Sequence, residues 1–495
     1  MDKNQALNFY YKRSSELYKL SCIAALLGWD QQVNLPPGSV IDRADQLEYI
    51  SLALHSKQTD PEFVDSINLL YDFIDTLPIK DQVNIRESKR IIDIQIKLPS
   101  DFVAQLAQAE AIAYDVWTKA RPQNDFASVK PHLEKIVDLN KQKCDYLGYK
   151  ENPYDVLLDL YEPGATAAVI KPLLLNLAEE LRLLIPRIAD LFGDIQELNG
   201  DFPKPQQQNL CKMIAQKLGF SFETGRLDIA PHPFMTSLGS KDFRITTRYN
   251  ESNFLQAFYG VIHESGHALY ELGLPVEHKG TPMGEAVSLG IHESQSRLWE
   301  NLIGRSKEFC NYLSKELKDY FPDEASKLNS DVLWRYADRV SPTLIRVEAD
   351  EVTYSQHIVI RMLLEEQLIK SELAVCDLPD AWNNMYEKYL GIRPTDNKDG
   401  VLQDVHWYSG AIGYFPTYAL GNLYNSMMLE SIKEAIPNIN YQVMNGEFSD
   451  ILRWLRENVH KHGMRYRGLE LIKNITGKEL SSEAFIRYLK NKFEV

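Results

Sequence analysis

The chain has 495 residues, 44% of them hydrophobic, and a net charge of −15 from 54 Lys and Arg against 69 Asp and Glu. That acidic balance excludes nucleic-acid binding as the main activity, since phosphate contacts need a basic surface. The five cysteines are odd in number, widely spaced and free of C-x-x-C pairs, which excludes a disulfide framework and a zinc ribbon and fits a reducing, cytoplasmic setting.

In chain order, the start Met1-Asp2-Lys3-Asn4-Gln5 lacks a basic-then-apolar leader pattern, and no run approaches the roughly 20 apolar residues of a membrane span. The expectation is a cytoplasmic protein with no membrane partner. Apolar residues at three- and four-residue spacing predict helices around Leu157-Leu158-Asp159-Leu160, over 170–191 and over 358–368. The protein is therefore expected to be mainly α. The Gly- and Pro-bearing segment 199–205 reads as a surface connection between an N-terminal helical half, about 1–200, and a catalytic half, about 209–495, of one domain spanning 1–495.

One strand stands out at 242–249, with Phe243, Ile245, Thr247 and Tyr249 on one face and Arg244, Thr246 and Arg248 on the other. It is a candidate for pairing with an extended peptide, with a solvated hairpin as the equal alternative. The next helix is expected to start at the N-cap oxygens of Asn250 or Ser252 and to stop at Gly273 and Pro275. It buries Leu255, Phe258, Ile262, Leu269 and Leu272 and presents Gln256, His263, His267 and Glu271 on another face.

Within that helix lies His263-Glu264-Ser265-Gly266-His267. Residues four apart share a face, so the two imidazoles can grip one metal ion with Glu264 beside them. An ion so held makes hydroxide chemistry accessible near neutral pH, and Glu264 is the base that takes the proton. This is the chemistry of peptide-bond hydrolysis.

Two histidines leave such a site one ligand short. The extended motif with a third histidine is excluded, because Tyr270 and Gly273 occupy its Gly and His positions. Glu271 points nearly parallel to the histidines and converges poorly on one ion. The segment 273–284 reverses the chain into a second helical pattern through Val287, Ile291, Leu298 and Leu302 to Gly304, on which Glu293 is the favoured third ligand, two turns in. Glu285 is the weaker rival, and His292 is a packing residue or a support for a ligand.

These residues belong to a longer series that resembles the carboxypeptidase Taq (M32) family of metallocarboxypeptidases. The series is Leu27-Gly28-Trp29-Asp30-Gln31, Pro36-Pro37-Gly38, Tyr161-Glu162-Pro163-Gly164, His232-Pro233-Phe234, Asp242-x-Arg244-x-Thr246, the His263 to His267 motif, His292-Glu293-Ser294, Ile345-Arg346-x-x-Ala349-Asp350, Gly400-x-x-Gln403-Asp404-x-His406-Trp407, and Gly413-Tyr414-Phe415-Pro416-Thr417-Tyr418. It spans almost the whole chain. Only Gln32-Val33-Asn34-Leu35 departs from the family pattern.

The resemblance implies a neurolysin- and angiotensin-converting-enzyme-like helical fold, with two lobes around a long cleft and a small β-element beside the zinc helix. It implies release of single C-terminal residues from peptide substrates with broad specificity, C-terminal proline disfavoured, by a homodimer. It also implies His263, His267 and Glu293 as metal ligands, with one divalent metal per subunit, and Glu264 as base. Zinc suits that donor set, and cobalt or manganese can also occupy it.

An exopeptidase must also hold the terminal carboxylate, a task suited to a bidentate arginine. The resemblance selects Arg346, whereas residue chemistry alone does not separate it from Arg244, Arg248 or Arg361, nor from simple pairing with Asp350. His406 and Tyr414 resemble the donors that face the oxyanion, with Tyr418 as the alternative tyrosine. His232, Arg244 and Gln403 complete the candidate substrate residues, Gln403 also suiting a packed, hydrogen-bonded support. An oligoendopeptidase of the same architecture and a catalytically silent helical interaction protein are the alternative readings.

Overall fold

The computed structural model describes residues 1–193 and 195–495. The N-terminal part is a succession of helices: α1 (Lys3–Val33), α2 (Val40–Gln58), α3 (Pro61–Asp72), α4 (Ile79–Lys97), α5 (Ser100–Ala120), α6 (Phe126–Leu147), α7 (Tyr154–Tyr161), α8 (Ala167–Phe192) and α9 (Lys204–Leu218). Their ends follow local chemistry. Asp2 and Gln5 form a capping box before α1, and Gly219 closes α9 in the left-handed region. The expected connection at 199–205 holds no regular element until α9 begins at Lys204.

Two apolar clusters form. Ala6 and Tyr10 of α1, Phe63, Ile67 and Leu70 of α3, Leu77, and Ile85 and Ile92 of α4 make a small one of their own. A much larger core runs from Ala113 of α5 to Phe493 near the C-terminus and so draws on residues before and after the 199–205 connection. α4 meets the larger core's helices and loops through polar contacts. The Asn84 side chain accepts from Met283 N, Arg86 donates to Met464 O, and Arg90 pairs with Asp159. Trp29 of α1 is buried under the guanidinium groups of Arg226 and Arg244, 4.9 Å and 4.1 Å from the ring centre.

Three short strands follow: β1 (Gly225–Ile229), β2 (Met235–Gly239) and β3 (Asp242–Thr247). β3 pairs parallel to β1 with Leu227 opposite Ile245, and antiparallel to β2 with Met235 opposite Ile245. The predicted strand therefore exists but lies in the middle of the sheet. Its backbone is engaged on both sides, which rules out pairing between this strand and a substrate. Phe243, Ile245 and Thr247 are buried as the alternation requires, and Thr246 is buried too, its hydroxyl bonded to both backbone groups of Phe234.

The remaining helices are α10 (Leu255–Gly273), α11 (Leu289–Arg297), α12 (Lys307–Tyr320), α13 (Pro322–Ala325), α14 (Ser330–Ala337), α15 (Tyr354–Ile369), α16 (Leu378–Leu390), α17 (Pro416–Ala435), α18 (Ile439–Met444), α19 (Ser449–Asn458), α20 (Gly468–Thr476) and α21 (Glu483–Phe493). Among the described residues no helix is long and apolar enough to cross a membrane. The α10 cap differs from expectation. Asn250 turns its oxygen onto Ser252 N and Oγ, and it is Asn253 that accepts from Leu255 N.

α11 is clasped between α10 and α17. A Cβ on Gly266 of α10 would lie 2.6 Å from Ser296 Cα and 2.9 Å from Gln295 O, and one on Gly421 of α17 would lie 3.1 Å from Glu293 Cβ. Both helices approach α11 at van der Waals distance only because those positions lack side chains. Gly266→Ala is expected to force α10 and α11 apart and to cost about 1–3 kcal/mol of stability, read by urea unfolding.

Candidate active site

α10 is anchored by Leu255, Phe258, Ile262 and Leu269, all buried. This leaves His263 and His267 facing a cavity of about 590 Å³. α11 brings Glu293 across from them, its Oε2 3.8 Å from His263 Nε2 and 3.5 Å from His267 Nε2. Glu293 stands in the second turn of α11, which starts at Leu289 with Ser288 as its N-cap. One ligand atom from each of His263, His267 and Glu293 lies within 4.8 Å of the others.

Each of these three side chains has its second polar atom occupied. His263 Nδ1 is 2.9 Å from Glu300 Oε2, and Glu300 Oε1 accepts from Arg305 Nη2 at 2.9 Å. His267 Nδ1 is 2.6 Å from His292 Nδ1, while His292 Nε2 faces Glu271 Oε1 at 3.4 Å and Lys279 donates to Glu271 Oε2. Glu293 Oε1 accepts from Arg297 Nε at 2.5 Å. Two imidazole Nε2 lone pairs and one carboxylate oxygen are thereby left to converge. Tetrahedral ligands at zinc distances stand about 3.3 Å apart, so this donor set fits a divalent metal.

The charges are set by the same contacts. Burial alone would raise Glu293 and Glu300. Arg297 with the two imidazoles, and Arg305 with His263, outweigh it and hold both carboxyls well below the usual range. Glu264 lines the cavity beside them. Burial pushes its carboxyl up to about 7, with Glu293 and Glu300 adding to the rise and His263 opposing it. The rivals for the third ligand are elsewhere employed: Glu271 supports His292, and Glu285 lines a second cavity with Tyr18 and Cys22.

Arg346 also lines the metal-side cavity and is only 6% exposed. Its Nε and Nη2 donate to Asp404 Oδ1 at 3.0 and 2.8 Å, and its Nη1 donates to Tyr354 OH at 2.9 Å. Asp350, the sequence-adjacent partner, instead accepts from Ser341, Val352 and Thr353, which tie it into its own turn. Arg361 shares Asp404 but is fully buried, bonded to His357 O and to Gln403. Among the described residues, one N–H on each of Arg346 Nη1 and Nη2 keeps no partner.

Tyr414 and Tyr418 line the cavity with ring centres 5.3 Å apart. His406 is not in that lining. It packs on Phe415 and Tyr414 at 4.5 and 5.5 Å, and burial with the nearby Arg346 and Arg361 lowers it to about 4 against the pull of Asp404, so its ring is neutral. The structure does not bring three other candidates to the cavity. His232 is exposed outside it, although Pro233 and Phe234 line it. Arg244 pairs with Asp242 and stacks on Trp29. Gln403 is a bracket: it accepts from Arg346 N and Arg361 and donates to Leu344 O and Asp399 O.

Sequence reasoning missed Arg297, Glu300, Arg305 and Tyr354. Arg297 was within reach, since a residue four after Glu293 on one helix meets it. Glu300 sits in a π-helical stretch, Leu298–Ile303, that follows α11 and alters its helical phase, so regular spacing did not point to it.

Comparison with known proteins gives one result throughout. The family model for carboxypeptidase Taq (M32) metallopeptidase matches residues 9–493. Thermostable carboxypeptidase 1 of Thermus thermophilus is 40% identical over 96% of this chain and 95% of its own, and carboxypeptidase 1 of Bacillus subtilis is 38% identical over 95% and 94%. Among solved structures, the M32 carboxypeptidase from Deinococcus radiodurans superposes with a TM-score of 0.95 at 35% identity, covering 99% of both chains. Pyrococcus furiosus carboxypeptidase does so with a TM-score of 0.95 at 36% identity, again over 99% of both.

The contacts behind the imidazoles yield a direct expectation. Glu300→Ala and His292→Ala should each weaken metal binding roughly 10–100-fold in chelator competition, with helicity by circular dichroism unchanged.

Proposed function

The chain belongs to the carboxypeptidase Taq (M32) family of metallopeptidases and is a metal-dependent carboxypeptidase acting on peptides, and we propose from that premise how its residues divide the work. His263, His267 and Glu293 hold the metal, Glu264 moves the proton, and Arg346 receives the terminal carboxylate. The observation that carries the reading is a buried arginine with two uncommitted N–H groups in the same cavity as the His-His-Glu group.

A divalent metal held by His263, His267 and Glu293 would supply Lewis acidity toward a water and the scissile carbonyl. Glu264 takes a proton from the attacking water and returns it to the leaving amine nitrogen. A carboxyl near 7 is matched to doing both at neutral pH. Arg346 is fixed by Asp404 and Tyr354 before substrate arrives, so its free edge meets a carboxylate with little ordering left to do. A terminal carboxylate held there sets the last peptide bond within the cavity that Glu264 lines, so one residue leaves per cycle. Tyr414 and Tyr418 are the cavity hydroxyls available to the oxyanion, and the neutral His406 ring backs Tyr414.

The finer assignments follow the family resemblance: zinc as the metal, a broad side-chain preference with C-terminal proline disfavoured, a homodimer, cytoplasmic residence, and one peptidase unit over 1–495. Metal content of protein purified without added metal and light scattering of the same sample check the first and the third.

Glu264→Gln is expected to retain metal while kcat falls on the order of 10²–10⁴-fold, and unchanged hydrolysis would sink the mechanism. Arg346→Gln should lower kcat/KM for free-acid peptides roughly 10–100-fold, mainly through KM. Peptides amidated at the C-terminus should resist the unaltered enzyme; cleavage at equal rates would make it an endopeptidase.

A further inference from the structure

Tyr161-Glu162-Pro163-Gly164 is outside the cavity lining, and the reaction as described leaves it without a task. Glu162 is 1% exposed and accepts from Ser288 Oγ at 2.9 Å, Gly290 N at 3.1 Å and Tyr424 OH at 3.0 Å. Ser288 is the N-cap of α11, its Oγ accepting from Ile291 N. The carboxyl group therefore fastens the first turn of α11 to Tyr424 of α17, its oxygens taking up an amide N–H that the helix start leaves without an internal partner. It fits because no side chain is in the way: a Cβ on Gly290 would stand 2.5 Å from Glu162 Oε2, and one on Gly468 2.1 Å from Oε1.

Glu293 follows Gly290 by less than one turn, a rise of about 4.5 Å. A displacement of the first turn of α11 thus reaches the metal-side carboxylate with little chance of being absorbed. On the other side of the same dipeptide, the Tyr161 ring meets the Tyr414 ring edge-on at 5.2 Å.

We propose that Tyr161 and Glu162 form a two-pronged positioning element, in which Glu162 sets the height of Glu293 against His263 and His267 and Tyr161 sets Tyr414 in the cavity. The inference rests on the reading of Glu293 as a metal ligand. Neither residue touches substrate or metal; each acts through another.

The two prongs are separable by experiment on the full chain. In zinc competition against a chelator, Glu162→Gln should raise the zinc Kd tenfold or more, and the visible absorption of the cobalt-loaded protein should shift in position or intensity. At saturating zinc its kcat should largely recover. Tyr161→Leu should leave the zinc Kd within twofold and lower kcat about tenfold at unchanged KM. Glu293→Gln is the control: unaltered zinc affinity there would remove the metal-site reading itself.

Loss of zinc in Glu293→Gln combined with an unaltered Kd and cobalt spectrum in Glu162→Gln would overturn the Glu162 assignment alone. A merely structural Glu162 produces that result, with the unfolding temperature lowered equally with and without zinc. An unchanged kcat in Tyr161→Leu would overturn the other prong. Should Glu162→Gln fail to fold, Ser288→Ala and Tyr424→Phe each delete one of its bonds and should each weaken zinc about threefold; full affinity in both would overturn the proposal.

Discussion

Three helices meet at one crossing, and the site depends on how closely they do so. α11 lies between α10 and α17, with Gly266 against the backbone of Ser296 on one side and Gly421 against Glu293 on the other. The first contact brings the histidine-bearing helix near enough for Glu293 to reach both imidazoles. The second fills the space behind Glu293 with α17 backbone, so the side chain has one direction left open. A packing constraint of this kind is insensitive to solvent and fixes geometry before any ligand binds.

Electrostatics finishes what packing begins. Three carboxylates around the centre have a cation on one oxygen, Arg297 on Glu293, Arg305 on Glu300 and Lys279 on Glu271, while Asp404 is held on both, by Arg346 and Arg361. Buried pairs like these add little net stability, because desolvation offsets most of the attraction. Their value is directional. One oxygen held by a cation leaves the other aimed at an imidazole or a ligand position, and each imidazole bonded at Nδ1 presents Nε2 inward. Arg346 shows the same economy in reverse, with Nε and Nη2 bound to Asp404, Nη1 bound to Tyr354, and one N–H on each of Nη1 and Nη2 without a partner among the described residues.

How much of this could be read from the chain differs by residue. The helical class, the α10 and α11 pair and Glu293 were legible, because apolar spacing and a Gly- and Pro-rich reversal dictate an antiparallel arrangement. The place of β3 was not. Alternation reveals a strand but not its neighbours, and β1 and β2 are short and only partly buried. Arg244 and Gln403 carried the same chemistry as true cavity residues. Only three-dimensional contacts show Arg244 committed to Asp242 and Trp29, and Gln403 to the backbone around Leu344. Asp350 was a natural partner for Arg346 by proximity in sequence, yet its oxygens are taken by the amides of Val352, Thr353 and Ser341 and by the Thr353 hydroxyl. Glu300 was hidden by the π-helical stretch, which breaks the period on which such reading relies.

The separate apolar cluster of α1, α3 and α4 has a thermodynamic consequence. Hydrophobic burial is what makes unfolding cooperative, and almost none of it is shared across the boundary that Asn84, Arg86, Arg90 and Trp29 span. The cluster of α1, α3 and α4 is thus joined to the larger core by hydrogen bonds, ion pairs and one stacked indole. Water can replace the partners of the polar contacts at modest cost, while His263, His267 and Glu293, on helices packed in the larger core, keep their surroundings. Heat, denaturant or protease is therefore expected to open the small cluster of α1, α3 and α4 before it reaches the core around α10 and α11.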